Sequence, residues 1–247
     1  MSGTTPFVSV LTPTSNRRKF IPYAIAAFKD QTYPMDRMEW IILDDGDDPV
    51  EDLFTASGLK NVRYIRLHEK QTIGAKRNRL NQEARGDICV NWDDDDFYFP
   101  DRIRKAVIRL RSTPDRKIQM SGSSELLMYY VDLGEFWTIP HKGATHCMEG
   151  TMAFWKTYAN THKYDETVTH AEGPSFLNQW TEPVHQIPIK DIMICICHDK
   201  NTYDKHKLLY GGKGGTINPK FKKENYKMQQ LVKNKQIRDF YLQQKTV

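Results

Sequence analysis

The stretch Ile88-Cys-Val-Asn-Trp92, followed at once by Asp93-Asp-Asp-Asp96, decides the fold class of this 247-residue chain. Its first five residues are apolar except for one Asn, which is typical of a strand buried on both faces of a parallel sheet. The four carboxylates begin where that strand ends. Because ligands of open parallel sheets bind at the carboxyl ends of the strands, the stretch predicts an α/β fold with a site beside this strand.

Three further strands are predicted upstream, with room for helices between them. Apolar runs at Phe7–Leu11, Glu39–Asp44 and Val62–Leu67 predict strands, and the pattern at Gly74–Ala84 predicts a helix. This βαβαβαβ order implies right-handed crossovers and an open parallel sheet. The polar loop Thr12–Arg18 and the loop after Asp44 would therefore meet the acidic run over one crevice.

The second half of the chain has a different pattern. From Met120 onward, short segments with aromatic residues and histidines predict a smaller, mixed region. Residues Asn225 to Gln244 have the periodicity of an amphipathic helix. We therefore expect one domain followed by a helical tail, with these bounds: residues 1–219 for the domain, 1–120 and 121–219 for its halves, and 220–247 for the basic tail.

The net charge of +5 comes from the tail. Residues 220–247 hold eight basic against two acidic residues, so the rest of the chain is close to neutral. A nucleic-acid-binding protein would be expected to spread its cations over the face that meets phosphate. We expect no nucleic-acid partner, and a tail that packs as a helix with a solvated basic face. Contact of the tail with a membrane surface is the less favoured alternative.

Targeting and redox signals are weak in this sequence. No apolar run approaches the roughly 20 residues that span a bilayer. No basic region precedes the N-terminal apolar segment, and Pro13, Asn16 and Arg17 follow it too soon for a signal peptide. The four cysteines are too few and too irregularly spaced for a disulfide framework. We expect reduced thiols and a cytoplasmic location.

The acidic run Asp93–Asp96 is the sharpest chemical feature. Carboxylates this close raise one another's pKa and require a cation or full solvation. In extended backbone Asp93 and Asp95 project to the same side, and oxygen ligands suit Mg²⁺ or Mn²⁺. A solvated acidic loop is the alternative, but the apolar residues on both sides of the run favour a metal. An EF-hand loop is excluded because Tyr98 stands where glycine is needed. A zinc site among the scattered histidines and cysteines lacks a usual spacing.

Five motifs follow one another along the chain: Val8–Arg17, Ile41–Gly46, Gly74–Asn78, Ala84–Asp87, and Asp93–Asp96 followed by Pro100–Arg102. Taken in this order, they resemble the motifs of family 2 glycosyltransferases. The resemblance implies a GT-A (Rossmann-like), mostly parallel open sheet flanked by helices, with a smaller mixed region on the acceptor side and a C-terminal helix. It also implies metal-dependent, inverting transfer of a sugar from a nucleoside diphosphate sugar, with a UDP-sugar favoured, to a hydroxyl of a carbohydrate acceptor.

The resemblance assigns nucleotide contacts to three of these motifs. It implies that Thr12 and Arg17 contact the nucleotide and that Asp44 accepts a hydrogen bond from the base. Lys76 and Arg77 match the basic segment that approaches the nucleotide and the diphosphate. A solvated helix face is the alternative for these two, more so for Lys76.

The resemblance also implies a metal shell. Asp95 would be the direct ligand of Mn²⁺ or Mg²⁺, while Asp93 or Asp94 would reach the ribose or a metal-bound water. His198 resembles the late histidine that completes this shell in many GT-A enzymes. A structural histidine is the alternative at that position.

The general base is expected in a short acidic motif later in the chain. Inverting members of the family use a carboxylate there, and the match is Glu172 within Ala171–Leu177. Gly173 stands where the common pattern has a second acid, and Asp165 and Glu166 are the competing bases. The missing acid also leaves room for a different function, a catalytically silent module that binds nucleotide or glycan. A nucleotidyltransferase is less favoured, because the loop after the first strand lacks a glycine-rich basic pattern.

Overall fold

A computed structural model describes residues 4–113 and 115–244. The strands are Val8–Thr14 (β1), Met38–Asp44 (β2), Val62–Arg66 (β3), Ile88–Asn91 (β4), Phe97–Tyr98 (β5), Met120–Gly122 (β6), Leu126–Tyr130 (β7), Glu135–Ile139 (β8), Ala153–Trp155 (β9), Val184–Gln186 (β10), Met193–Cys197 (β11) and Lys222–Glu224 (β12). The α-helices are Ile21–Lys29 (α1), Glu51–Ala56 (α2), Ile73–Glu83 (α3), Arg102–Arg111 (α4), Tyr158–Thr161 (α5), Gly173–Phe176 (α6), Lys205–Leu209 (α7), Met228–Leu231 (α8) and Lys235–Gln243 (α9).

The larger sheet has the strand order β10-β6-β9-β4-β1-β2-β3. Strands β3, β2, β1 and β4 are mutually parallel, and the antiparallel β9 joins them to the short pair β6 and β10. A second sheet runs β12-β8-β7-β11-β5. The predicted α/β class with a mostly parallel open sheet is confirmed, as is a smaller mixed region in the second half.

The parallel strands β1, β2 and β4 are buried along their whole length because both faces of the sheet are covered, whereas the edge strand β3 is only partly buried. One face packs on an aromatic layer in which Phe28 stacks on Trp40 at 4.4 Å and Trp92 stacks on Tyr98 at 4.1 Å. The other face packs on a second cluster that includes Leu80 of α3. Burial on both faces removes the alternation of polar and apolar residues, as the sequence pattern predicted.

Strand β1 is longer than the sequence pattern predicted. It continues to Thr14, because Thr12, Pro13 and Thr14 stay paired with β2. The loop expected to begin at Thr12 therefore begins three residues later, at Ser15. This extension decides which threonine reaches the site.

The tail is part of the fold, but not as the single helix expected over Asn225–Gln244. Lys222–Glu224 adds β12 to the edge of β8, and helices α8 and α9 are separate. Asn234 ends the connection between the two helices, because its side chain accepts hydrogen bonds from the first backbone N–H groups of α9. Phe240 of α9 stacks on Tyr23 of α1 at 3.6 Å, so the tail packs on the first helix of the chain.

Two further expectations concern cysteines and membrane spans. Cys89, Cys147, Cys195 and Cys197 are all free and buried, which agrees with the reduced thiols expected. Within residues 4–113 and 115–244, no helix is both long enough and apolar enough to cross a bilayer.

Candidate functional site

A cleft of about 800 Å³ opens at the carboxyl ends of β1 and β4. The first half of the chain lines one wall with the loop after β1, the acidic run after β4 and the start of α3. The second half lines the other wall with the segments Met148–Gly150, Thr169–Glu172 and Lys200–Tyr203. Parallel strand ends and polar loops therefore meet at one edge of the sheet, as expected.

The acidic run is held in place from both sides. The Asp93 backbone N–H donates to the Tyr98 hydroxyl at 2.8 Å, and that hydroxyl donates to the Gly150 carbonyl at 3.2 Å. Asp96 turns toward β11, where its Oδ1 accepts the Ile196 N–H at 2.8 Å. Asp93, Asp94 and Asp95 remain as the carboxylates with no such strand partner at this end of the cleft.

These carboxylates are more crowded than the nearby cations can balance. Burial and the charge of Asp95 raise the pKa of Asp94 to about 8. Burial opposes ionisation of Asp95 too, but the hydrogen bond from His198 holds the pKa of that carboxyl below its ordinary value. Arg17 Nε lies 3.7 Å from Asp94 Oδ1 and 3.5 Å from Asp95 Oδ2, so it makes only long contacts. A divalent cation would relieve this crowding.

Asp95 and His198 are the two predicted metal ligands that the structure brings together. Asp95 Oδ2 lies 3.3 Å from His198 Nε2, and the imidazole stacks on Phe20 at 4.4 Å. No group of three or more His, Cys, Asp or Glu side chains in the described part of the chain is arranged to hold a metal ion. The residues fit Mg²⁺ or Mn²⁺ nonetheless, since these ions are commonly bound by one or two carboxylates with phosphate oxygens and waters.

The tautomer of His198 bears on its predicted role. The backbone N–H of Lys200 donates to Nδ1 at 3.1 Å, which assigns the ring proton to Nε2, facing Asp95. Ligation through Nε2 requires the other tautomer, and that tautomer loses the hydrogen bond from Lys200. Its role as a ligand therefore stays a prediction, while its contact with Asp95 is direct.

Arg77 links the two halves of the chain across the cleft. Its Nε donates to Glu172 Oε1 at 2.5 Å and its Nη2 donates to Asp93 Oδ1 at 3.0 Å. All three side chains line the cleft, and Arg77 is only 4% exposed. Its remaining Nη1 is buried with no partner among the described residues. The structure thus brings together one residue from each of three predicted motifs.

A second glutamate, Glu149, lies beside Glu172 in the same wall. Its Oε1 accepts the Gly173 backbone N–H at 2.9 Å, and its own carbonyl accepts a hydrogen bond from Asn91 Nδ2 at 3.0 Å. Burial and the charge of Glu172 raise the pKa of Glu149 above its ordinary value. Sequence analysis did not select this residue, because it lies in a stretch without a motif.

The expected contact of Thr12 with the nucleotide is not supported. The Thr12 hydroxyl is fully buried under the sheet, donating to the Trp92 carbonyl at 2.7 Å and accepting from Trp40 Nε1 at 2.8 Å. Because β1 continues to Thr14, that residue lines the cleft instead. The Thr14 hydroxyl has no hydrogen-bond partner within residues 4–113 and 115–244. Thr14, and not Thr12, is therefore the threonine of β1 that lines the cleft.

Asp44 and Lys76 serve the loop after β2. Asp44 accepts hydrogen bonds from the Gly46 and Val50 backbone N–H groups and from the Tyr64 hydroxyl, and it does not line the cleft. The predicted hydrogen bond to the base stays a prediction. Lys76 does line the cleft, but its ammonium donates to Asp45 Oδ1 at 2.8 Å. The alternative of a solvated Lys76 is wrong, because the side chain is buried.

The competing bases lie outside the cleft. Asp165 is exposed and accepts hydrogen bonds from the backbone N–H and the hydroxyl of Thr167. Glu166 accepts a hydrogen bond from Asn78 Nδ2 at 2.9 Å. Neither lines the cleft, whereas Glu172 does.

The fold of the chain is the GT-A fold, which solved structures share. Residues 1–349 of S. aureus TarS in complex with UDP-GlcNAc superpose with a TM-score of 0.61 at 15% identity, covering 79% of this chain and 60% of that one. The mannosyltransferase PcManGT of Pyrobaculum calidifontis, solved with GDP-Man and Mn²⁺, gives a TM-score of 0.63 at 14% identity, covering 81% and 59%. At these identities the likeness concerns the fold.

Residues 9–121 of the chain match the family model described as "Glycosyl transferase family 2". Over 99 residues the chain is 34% identical to the "Putative glycosyltransferase EpsH" of Bacillus subtilis (strain 168), covering 39% of this chain and 28% of that protein. Over 108 residues it is 29% identical to the "Putative teichuronic acid biosynthesis glycosyltransferase TuaG" of the same organism, covering 42% of each. The match thus spans less than half the length of either relative.

Proposed function

We propose that this chain is an enzyme that transfers a sugar, with inversion, from a nucleoside diphosphate sugar to a hydroxyl of a carbohydrate acceptor. A UDP-sugar is the favoured donor, and Mn²⁺ or Mg²⁺ the required ion. The observation that carries the proposal is the pairing of two chemistries in one cleft. Asp95, which contacts the buried His198, lines one part of the cleft, and the Arg77–Glu172 ion pair lines another.

The end of the cleft beside Asp95 suits the donor's diphosphate. Arg17 approaches the acidic run without a close ion pair, so its guanidinium is free to turn to a phosphate oxygen. The Thr14 hydroxyl offers a hydrogen bond to the nucleoside from the end of β1. A divalent ion at Asp95 would supply electrostatic stabilisation of the departing diphosphate. TarS was solved with UDP-GlcNAc and PcManGT with GDP-Man and Mn²⁺, which supports a donor of this type.

The opposite wall suits the acceptor hydroxyl. A general base must lie within hydrogen-bond reach of the proton that it abstracts, and Glu172 and Glu149 are the cleft-lining carboxylates on that side. Arg77 donates hydrogen bonds to both Glu172 and Asp93, which positions Glu172 relative to the acidic run. Attack from the face opposite the leaving diphosphate inverts the anomeric carbon.

Calorimetric titration of UDP and of GDP, each with and without Mn²⁺, tests the donor site. We expect Mn²⁺-dependent binding of one nucleotide, weakened about 100-fold or more in Asp95→Ala because the ligand carboxylate is lost. Asp115→Ala is the matched control, since this exposed carboxylate does not line the cleft.

Release of UDP from UDP-GlcNAc, or of GDP from GDP-mannose, then tests the chemistry with water as acceptor. Failure to bind either nucleotide contradicts the donor site. Tight, Mn²⁺-dependent binding with no cleavage of any donor in a wide panel supports the silent module instead.

A further inference from the structure

Gly173 has no backbone reason to be glycine. It is the first residue of α6 and is not among the glycines with positive φ, so another residue could adopt its conformation. Space is what excludes a side chain. A Cβ atom at Gly173 would lie 2.6 Å from Glu149 Oε1 and 3.1 Å from the Trp180 ring. A side chain at this position would therefore force the Glu149 carboxylate to move.

Hydrogen bonds from side chains of the first half of the chain hold the backbone at Glu149 and Gly150. Asn91, the last residue of β4, donates to the Glu149 carbonyl, and the Tyr98 hydroxyl donates to the Gly150 carbonyl. A Cβ atom at Gly150 would lie 2.7 Å from Asp93 Oδ2, so this turn lies directly against the acidic run. Glu149 thus lies in the wall from the second half of the chain, on a turn that is hydrogen-bonded to residues of the first half.

The two glutamates of this wall differ in their partners. Glu172 is 5% exposed and its charge is committed to Arg77 at 2.5 Å. Glu149 makes no ion pair within 4 Å in the described part of the chain, and only the Gly173 N–H donates to it. A carboxylate bound to a guanidinium is a poorer proton acceptor than one held by a single amide. The raised pKa of Glu149, caused by burial and by the charge of Glu172, agrees with this difference.

We propose that Glu149 is the general base of the reaction and that Glu172 is a positioning residue that holds Arg77. This assignment rests on the proposed sugar transfer. A carboxylate oxygen of Glu149 takes the proton of the acceptor hydroxyl. An electron pair of the acceptor's hydroxyl oxygen forms the bond to the anomeric carbon. The bond from that carbon to the diphosphate breaks, and its electrons leave with the diphosphate. Glu149 then returns the proton to solvent.

The first experiment compares Glu149→Gln with Glu172→Gln and wild type, using UDP-GlcNAc and GDP-mannose with Mn²⁺. We expect Glu149→Gln to lower kcat for nucleotide release by about 10²- to 10⁴-fold, with nucleotide Kd unchanged. The wild-type rate should fall as pH drops through the raised pKa of Glu149, because the base becomes protonated. That acidic limb should disappear in Glu149→Gln and persist in Glu172→Gln.

The second experiment moves the carboxylate. Glu149→Ala removes the atoms that a side chain at residue 173 would meet, so Glu149→Ala combined with Gly173→Asp places an acid in the same space. We expect the double variant to recover at least about tenfold of the activity lost in Glu149→Ala. Gly173→Asp alone should impair the enzyme, because its side chain would collide with Glu149. This rescue does not depend on Glu149→Gln being well folded.

The outcomes separate the two proposals. A wild-type chain that binds no nucleotide, or binds it and cleaves no donor, overturns the transferase and the base assignment with it. A wild-type chain that cleaves donor overturns only the base assignment if Glu149→Gln keeps its rate and its acidic limb while Glu172→Gln loses activity. Absence of rescue in a folded double variant that binds nucleotide as wild type does also overturns the assignment.

Discussion

The two walls of the cleft are built in different ways. The wall from the first half includes the loops at the ends of β1 and β4, which are far apart in the sequence but adjacent in the parallel sheet. The wall from the second half consists of the turn at Met148–Gly150, the segment Thr169–Glu172 that precedes α6, and the loop residues Lys200–Tyr203 after β11. Strands buried on both faces leave continuous apolar runs in the sequence, whereas short turns leave no such pattern. The comparison explains why sequence motifs identify most of the first wall but miss Glu149 in the second.

Substitution of Arg77 should have the largest effect on stability, because this residue joins the two walls through its ion pairs with Asp93 and Glu172. Arg77→Met would leave Glu172 buried and Asp93 partly buried without their cation, so we expect the free energy of unfolding to fall by about 3–5 kcal/mol. Urea denaturation followed by circular dichroism measures this loss. Arg79→Met, on the exposed side of the same helix, is the control and should change stability by less than about 0.5 kcal/mol. Equal, small losses in both variants would mean that the walls are held by other contacts.

Phe240 tests whether the tail supports the second wall. It stacks on Tyr23, is 8% exposed, and contacts Phe20, on which His198 stacks. Phe240→Ala should lower the free energy of unfolding by about 3 kcal/mol, because a buried ring is replaced by a cavity.

Thermal denaturation of the full chain measures the Phe240→Ala effect, with Lys235→Ala on the exposed face of α9 as control. Lys235→Ala should change stability by less than about 0.5 kcal/mol. An unchanged melting temperature in Phe240→Ala would mean that α9 is an appendage and that the expected separate tail at 220–247 is the better description.

The smallest effects separate Thr12 from Thr14 within the first wall. Thr12→Val leaves Trp40 Nε1 and the Trp92 carbonyl unpaired, so we expect a loss of about 1–3 kcal/mol in stability with nucleotide Kd unchanged. Thr14→Val removes a hydroxyl with no partner among the described residues, so stability should hold while UDP binding weakens about fivefold. Each variant is the control for the other. The opposite result, with Thr12→Val weakening UDP binding, would restore the original assignment.

The sequence predicts most of the first wall. The apolar strands fix the order of the sheet, and the acidic run and Arg77 follow from motif positions that the strands bring together. Glu172 was also predicted, and it reaches the same cleft. These predictions succeed because a buried parallel strand has a distinctive composition and its ligands lie at a known end.

The errors have equally local causes. Thr12 and Thr14 are two residues apart in a strand, so their side chains point to the same face of the sheet. Only the residue at which β1 stops pairing with β2 decides which of them lies at the strand end. Glu149 is brought to Gly173, 24 residues away, by contacts that no local pattern records. The pattern from Asn225 predicts one helix, but the structure has two. The pairing of Lys222–Glu224 with β8 depends on a distant partner, and the break between the helices depends on the single capping residue Asn234. Tertiary contacts decided all three.

The contact between Phe20 and Phe240 has a consequence for the order of folding. These rings are 220 positions apart in the sequence, yet they meet behind His198. During synthesis the first strand, helix and loop leave the ribosome long before their partner in α9 exists, and contacts of such separation form late. A nascent chain could therefore fold much of its parallel sheet early, while the support behind His198 waits until residue 240 has emerged. Nucleotide binding measured on stalled nascent chains of increasing length would show at which residue the donor site becomes competent.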